Sequence, residues 1–384
     1  MPRFTSKRAA AIPEPVFLLM DQAKAKRRAA GGDLIDLSLG SSDLTPPREA
    51  MEALAEAALD PKTYGYCLKN CTLPFLEAAT AWFSRRFGVE LDPTREALAL
   101  IGSQEGLGHL LLSALDPGDV LLLPSVGYPS YWGAAAVAGV EPFPLPLDED
   151  YRPVLEAPPE VLRRAKAILV NLPNNPTAAT ADRAYFERLL AFAEEHDLLV
   201  IHDNPYLDIL YEGEPLPLLA LPGARERVVE LFSFSKAYHL GGARLGFALG
   251  NADALAALER VKSPIDFNQY PGILRMGIRA LSLPQERVRE GVEVFRRRRD
   301  ALVAALARHG ITLTPPKASL YLWLPLPEGE DDVAFALRLV EETGVAVAPG
   351  QGFGPGGKGY VRLALVQPPE VLEEAAARFA AFLG

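Results

Sequence analysis

Short, almost wholly apolar runs recur along much of this chain, at residues 98–101, 120–123, 167–171, 198–202, 229–233 and 245–249. They are too short for helices and too uniformly apolar for strands with one wet face. Such runs suit strands buried on both faces, as in a parallel sheet. Segments of helical periodicity, for example 106–114 and 182–196, lie between them. Parallel strands need long crossovers, usually helices, so this rhythm predicts an α/β architecture with a largely parallel sheet covered by helices on both sides.

The rhythm changes after about residue 285. A long charged helix is expected over 287–309. Strand-like runs follow at 320–325, 345–348 and 360–365, with helices at 332–343 and 369–382. A chain of 384 residues exceeds what one core usually supports. We therefore expect a large domain over 45–285 and a smaller α+β domain formed by 1–44 and 286–384. The arginine run 296–299 reads as a solvated helix face.

Charge and composition narrow the function. A net charge of −10 argues against nucleic acid or an anionic membrane as partner. No apolar run is long enough to span a bilayer. The basic residues Arg3, Lys7 and Arg8 are not followed by the apolar core of a signal peptide, so a cytoplasmic location is expected. Cys67 and Cys71 read as free thiols, and no histidine joins them at zinc spacing, so no metal site is expected.

The chemistry is carried by residues at the ends of the predicted strands, where α/β sheets place their ligands. Lys236, in Ser233-Phe234-Ser235-Lys236, follows the 229–233 run. A neutral lysine amine can attack an aldehyde and hold it as a Schiff base. Ser233 and Ser235 before it, and Arg244 after it, suit a phosphate on that aldehyde. Together they suggest pyridoxal 5′-phosphate (PLP). Four further segments fit the same cofactor. Gly102-Ser103-Gln104-Glu105-Gly106 joins a strand to a helix, whose first N–H groups and Ser103 hydroxyl suit a phosphate. Tyr128 offers a face for a flat ring, or is a core tyrosine. Asn175, in the stiff turn 171–177, offers an amide to a phenolate oxygen, as does Tyr206. Asp203 suits a protonated pyridine nitrogen, although an acid at a strand end can also be a helix cap. Arg362 is a cation inside an apolar strand. It needs a partner, either a substrate α-carboxylate or an internal salt bridge. Tyr321 and Trp323 are candidates for a wall of the substrate pocket, although an alternating strand favours core packing for both.

Taken in order, Asn-Pro-Thr, Asp-x-x-Tyr, Ser-x-Ser-Lys and the late arginine resemble class I/II aminotransferases of PLP fold type I, in the alanine-, aspartate- and LL-diaminopimelate aminotransferase subgroup. The resemblance runs from residues 35–40 to Arg362. It implies a seven-stranded, mainly parallel sheet. It implies that Lys236 carries the cofactor and moves the proton, that Asp203 meets the pyridine nitrogen, and that Asn175 and Tyr206 meet the phenolate oxygen. Tyr128 would stack on the ring. Ser103, Gln104, Ser233, Ser235 and Arg244 would hold the phosphate. Arg362 would clamp the substrate carboxylate, with the Gly40 backbone lining the same pocket. It implies a homodimer with shared sites, in which Tyr66, or else Tyr64, reaches the partner's phosphate and Asn268 and Gln269 make a second such contact.

The implied function is ping-pong transfer of an amino group from an L-amino acid to a 2-oxo acid, with 2-oxoglutarate as the expected acceptor. No second arginine is clearly placed for a distal carboxylate, although Arg275 and Arg279 are candidates. A lyase or decarboxylase on the same fold would use the same cofactor residues. A non-catalytic PLP-sensing module is disfavoured by the acidic charge and by the short stretch before residue 35. A pyridine-nucleotide dehydrogenase is disfavoured because Gly352-Phe353-Gly354-Pro355-Gly356-Gly357 follows a late strand and contains a proline; it reads as a flexible loop. Two departures from the family stand out. Ala178 occupies a position where glycine is usual, and Cys71-Thr72 stand where a glycine often follows the interface tyrosine.

Overall fold

A computed structural model describes residues 4–12 and 16–384. Arg3 lies outside them. The strands, in chain order, are β1 (Ile35–Asp36), β2 (Ala97–Leu100), β3 (Val120–Pro124), β4 (Glu141–Leu145), β5 (Ala165–Val170), β6 (Leu199–Asp203), β7 (Val228–Ser233), β8 (Gly246–Gly250), β9 (Tyr321–Pro325), β10 (Val345–Ala346), β11 (Ala348–Pro349) and β12 (Tyr360–Ala364).

The main sheet has seven strands in the order β2-β8-β7-β6-β5-β3-β4. Only β8 opposes its neighbours; the other pairs are parallel. The mainly parallel α/β sheet read from the sequence is therefore present. Its seventh strand, β4, has no apolar run of its own. Its sequence is Glu-Pro-Phe-Pro-Leu, and proline cannot donate to a ladder, so the strand belongs at the sheet edge, where it is found.

Both faces of the sheet are buried. Phe75, Trp82 and Phe83, from the helix Lys69–Phe87, pack with Phe232 and Phe247 on one side. Leu107, Leu110 and Leu111 pack with Leu121, Leu123 and Tyr131 on the other. Each such side chain, fully buried, stabilises the fold by about 1.5–3 kcal/mol. A second core, around Phe295, Phe335 and Phe379, lies under the antiparallel sheet β11-β12-β9 and the β1-β10 pair.

Two expectations are corrected here. In the arginine run, Arg298 and Arg299 are buried rather than solvated. Arg298 makes a two-pronged ion pair with Asp43, at 2.6 and 2.7 Å, which ties the helix Glu286–Arg308 to the segment after Gly40. The glycine-rich segment 352–357 is packed rather than loose. Phe353 is fully buried, and a Cβ on Gly350 would sit 1.9 Å from the Gly357 carbonyl oxygen.

Candidate active site

The carboxyl ends of β5, β6 and β7 deliver the reactive side chains to one place. β6 ends on Asp203. β5 leads into the turn holding Asn171 and Asn175. β7 ends on Ser233, whose hydroxyl oxygen accepts the Ser235 N–H at 3.1 Å and starts the short helix Phe234–Ala237 that carries Lys236. Together they border a cavity of about 520 Å³, which Arg362 closes from β12.

Asp203 is buried. Its Oδ2 accepts the Tyr131 hydroxyl at 2.7 Å, and its Oδ1 has no partner. Burial pushes this carboxyl up to about 6; the Tyr131 hydrogen bond and the charges of His202 and Lys236 pull the other way. A buried acceptor left open in a cavity wall asks for an N–H donor from a ligand. Across the cavity, the Lys236 ammonium donates to the Gly40 carbonyl at 2.5 Å. Gly40 admits no side chain, because a Cβ there would stand 2.1 Å from the Tyr321 hydroxyl oxygen.

Arg362 is also buried, and its contacts are neutral. One arm donates to Asn175 Oδ1 at 2.8 Å and the other to the Ser38 carbonyl at 2.6 Å, while Nε has no partner. The guanidinium lies 4.2 Å from the Tyr321 ring centroid and 4.7 Å from that of Phe353. Burial holds its pKa below the ordinary arginine value. Among the described residues no carboxylate pairs with it, so the internal salt bridge is not the arrangement found. A buried cation of this kind favours an anion brought by a ligand. Because Asn175 Oδ1 is taken by Arg362, its Nδ2 is the group left to donate. Asn171 fixes the turn, accepting Asn175 N–H at 2.8 Å and donating to the Asp203 carbonyl at 2.7 Å.

Ser103 and Gln104 open the helix Ser103–Ala114, which follows Gly102 at φ 81°. A Cβ on Gly102 would lie 2.7 Å from Arg244 Nη2, the movable end of a long side chain, so it is the positive φ of the backbone rather than the arginine that requires this glycine. Arg244 itself is left-handed, at φ 51°. Gln269 secures that bend, donating to the Arg244 carbonyl at 2.6 Å and the Ala243 carbonyl at 3.2 Å. Tyr128 lines the cavity, and its hydroxyl donates to Gln104 Oε1 at 3.0 Å. Ser233 and Ser235 complete this end.

Other expected residues lie elsewhere. Tyr66 is 93% exposed and Tyr64 67%, and neither borders the cavity of its own chain. The Asn268 amide donates to the Cys67 carbonyl, so both it and Gln269 make contacts inside their own chain. Arg275 pairs with Asp60, and Arg279 contacts Ser282; neither lines the cavity. Glu105, His109 and Asp266 come together, but the Lys262 ammonium stands 3.3 Å from Glu105 and 2.8 Å from Asp266 and offsets one of their two negative charges. Ala178 has φ +61°, a left-handed backbone that glycine adopts without strain.

One residue near the site, Tyr131, is not singled out by the sequence, and another, Tyr321, is read there more as core than as pocket wall. Tyr321, expected in the core, lines the cavity, and its hydroxyl meets that of Tyr206 at 2.9 Å. Tyr131 holds Asp203. Tyr131 sits in the first turn of the helix Ser130–Ala138 with its ring edge to face against Tyr128 at 5.9 Å, a contact that no pattern in the sequence marks. For Tyr321, nothing in an alternating strand distinguishes a pocket wall from a core.

Comparisons with known proteins point to one enzyme family. A family model described as aminotransferase class I and II matches residues 32–379. A curated LL-diaminopimelate aminotransferase from Dehalococcoides mccartyi is 42% identical over 382 residues, covering 98% of each chain. A solved structure of a probable N-succinyldiaminopimelate aminotransferase from Thermus thermophilus is 60% identical, with a TM-score of 0.93, covering 96% of this chain and all of that one. A Thermus thermophilus aspartate aminotransferase is 30% identical, with a TM-score of 0.90, covering 99% of this chain and 100% of that one.

Proposed function

Because this chain belongs to the class I and II aminotransferase family, and is an aminotransferase, we propose that its cavity holds pyridoxal 5′-phosphate between Lys236 and Asp203 and moves an amino group from an L-amino acid to 2-oxoglutarate by a ping-pong route. One observation carries this reading: an open buried carboxylate oxygen on Asp203 and a buried, unpaired guanidinium on Arg362 border a single cavity whose wall bears Lys236.

The residues fit the cofactor. Asp203 Oδ1 would accept from a ring N–H, and Asn175 Nδ2 and the Tyr206 hydroxyl would donate to a ring oxygen. Tyr128, which lines the cavity, would offer its face to the ring. Ser103, Gln104, Ser233, Ser235 and Arg244 hold the phosphate. Tyr66 of a second copy completes that end, which makes the working unit a homodimer. When bound, the group supplies an aldehyde that takes up the amino group and a ring that draws electrons from the substrate Cα. Arg362 grips the substrate carboxylate and fixes which Cα bond faces Lys236. The Lys236 amine takes the Cα proton and later gives one back. Asp203 keeps a proton on the ring nitrogen.

For the amino donor we propose a diaminopimelate, free or N-succinylated, following the names of the relatives above. The large domain 45–285 would carry the cofactor residues, and 1–44 with 286–384 the Arg362 end. The free thiols of Cys67 and Cys71 support a cytoplasmic setting, and no described helix is long and apolar enough to cross a membrane.

The test is an absorption spectrum of the purified protein reconstituted with PLP, then titration with LL-diaminopimelate, its N-succinyl derivative, glutamate, alanine and aspartate. A yellow band that bleaches with an amino donor and returns with 2-oxoglutarate is expected. No band after adding PLP overturns the cofactor assignment. A band that diaminopimelates leave unchanged, while another donor bleaches it, overturns the substrate.

A further inference from the structure

Tyr321 stands where the two ends of the cavity meet. It is 1% exposed, yet borders the cavity. Its hydroxyl lies 2.9 Å from that of Tyr206 and 3.4 Å from the Gly40 carbonyl, which is also the acceptor of the Lys236 ammonium. Its ring lies under the Arg362 guanidinium, 4.2 Å from centroid to carbon. The Tyr206 and Tyr321 rings meet edge to face at 5.8 Å, so neither hydroxyl can turn from the other without unpacking. β9 fixes this placement, since Tyr321 is paired with Ala364, two residues from Arg362 on the facing strand.

The two phenols are not equivalent. Burial would raise Tyr321, yet the charges of Lys236 and Arg362, with the Tyr206 hydrogen bond, bring it below the ordinary tyrosine value. Burial, with Tyr321 beside it, holds Tyr206 well above that value. Either hydroxyl can donate across this 2.9 Å pair; when Tyr206 gives its hydrogen to a ring oxygen, as proposed above, the hydrogen between the two phenols comes from Tyr321. A hydroxyl that accepts one hydrogen bond donates a stronger one.

We propose that Tyr321 is a positioning residue joining the two halves of the site: its hydroxyl makes Tyr206 a fixed donor toward the cofactor ring oxygen, and its ring carries the Arg362 guanidinium that grips the substrate carboxylate. This rests on the PLP reading given above. The two duties use different parts of one side chain, so two substitutions separate them. Tyr321→Phe keeps the ring and removes the hydroxyl. Tyr321→Leu removes both. The charged and titratable groups around Tyr321 are Lys236 and Arg362 directly, Tyr206 beside it, and Asp203, Tyr128 and Arg244 around the same cavity. Both variants leave all six in place.

The experiment reconstitutes wild type and both variants with PLP. It follows the visible absorbance of the bound cofactor against pH, and measures kcat and KM for the amino donor that bleaches wild type best. Without Tyr321's hydrogen, Tyr206 is a poorer donor. The ring oxygen is then less stabilised as an anion, and the nitrogen joined to Lys236 holds its proton more tightly. The pH of the colour change should therefore rise in both variants, by roughly half a unit to one unit. KM should rise only in Tyr321→Leu, by roughly tenfold, as expected for loss of a desolvated cation–π contact. In Tyr321→Phe the loss should fall on kcat. An unshifted colour change in Tyr321→Phe, or an equal KM in the two variants, overturns the inference while leaving the cofactor assignment intact. A wild type that binds no PLP overturns the cofactor assignment, and this inference with it.

Discussion

Replacing Asp203 with asparagine isolates what it costs to keep a carboxylate in this wall. The side chain is 6% exposed, so solvent screening offers little relief. Burial raises its folded-state pKa to about 6, against an ordinary 3.8. The difference exceeds two units, and at about 1.4 kcal/mol per unit it amounts to about 3 kcal/mol. The sign follows from proton binding. Between the two values the folded protein holds more protons than the unfolded chain, so stability falls as pH rises through this window. Below the ordinary value the group is neutral in both states and costs nothing on this account. Above about 6 the cofactor-free protein carries the whole penalty. Asparagine does not titrate there, and its oxygen can still accept from the Tyr131 hydroxyl.

The expectation is therefore a pH-dependent difference. In cofactor-free protein, Asp203→Asn should match wild type near about pH 3 and be more stable by about 3 kcal/mol near pH 7. Urea unfolding of the two stripped proteins, at one protein concentration and several pH values, measures it. With PLP present the order should change, because the variant has lost the charge that holds a ring N–H and should bind the cofactor more weakly. Parallel pH profiles for the two stripped proteins, or a variant less stable than wild type at neutral pH, would refute the claim that Asp203 is held uncompensated.

Three further outcomes are expected. Lys236→Ala should still bind PLP, held by its phosphate and ring contacts, but lose turnover by several orders of magnitude; equilibrium dialysis and an amino-transfer assay check the two halves. Arg362→Lys keeps the charge but loses the two-pronged grip, so the KM for the amino donor should rise roughly 10- to 100-fold with the cofactor spectrum kept; an unchanged KM would place the carboxylate elsewhere. At Ala178, relief of the left-handed backbone in Ala178→Gly offsets the flexibility gained by the unfolded chain, for a net change within about 1 kcal/mol. Ala178→Val, β-branched at the same φ, should lose about 2 kcal/mol, read by urea unfolding.

What depends on local chemistry is legible in the sequence. Lys236, Asp203 and Asn175 stand out because each follows a buried strand, and buried parallel strands announce themselves as apolar runs. β4 does not, since an edge strand of alternating proline carries neither signal. Arg298 misleads for a related reason: a run of four arginines looks solvated until the helix is docked and Asp43 arrives from a distant segment. The same holds for the glycine-rich loop, whose Phe353 becomes a wall of the cavity only when β12 is beside it.

Tyr321 marks the boundary most clearly. On its own strand, alternation gives it an inward face and nothing more. Its significance depends on three residues from other parts of the chain: Gly40, which has no side chain to obstruct it, Tyr206, whose hydroxyl meets its own, and Arg362, which rests on its ring. Each of the three is explicable alone. Gly40 looks like a turn, Tyr206 a motif tyrosine, Arg362 a buried cation. A phenol between two cations and against another phenol acquires chemistry that its own strand does not encode. The residues that touch a ligand can therefore be read one at a time, whereas those that aim them can be read only from the packing.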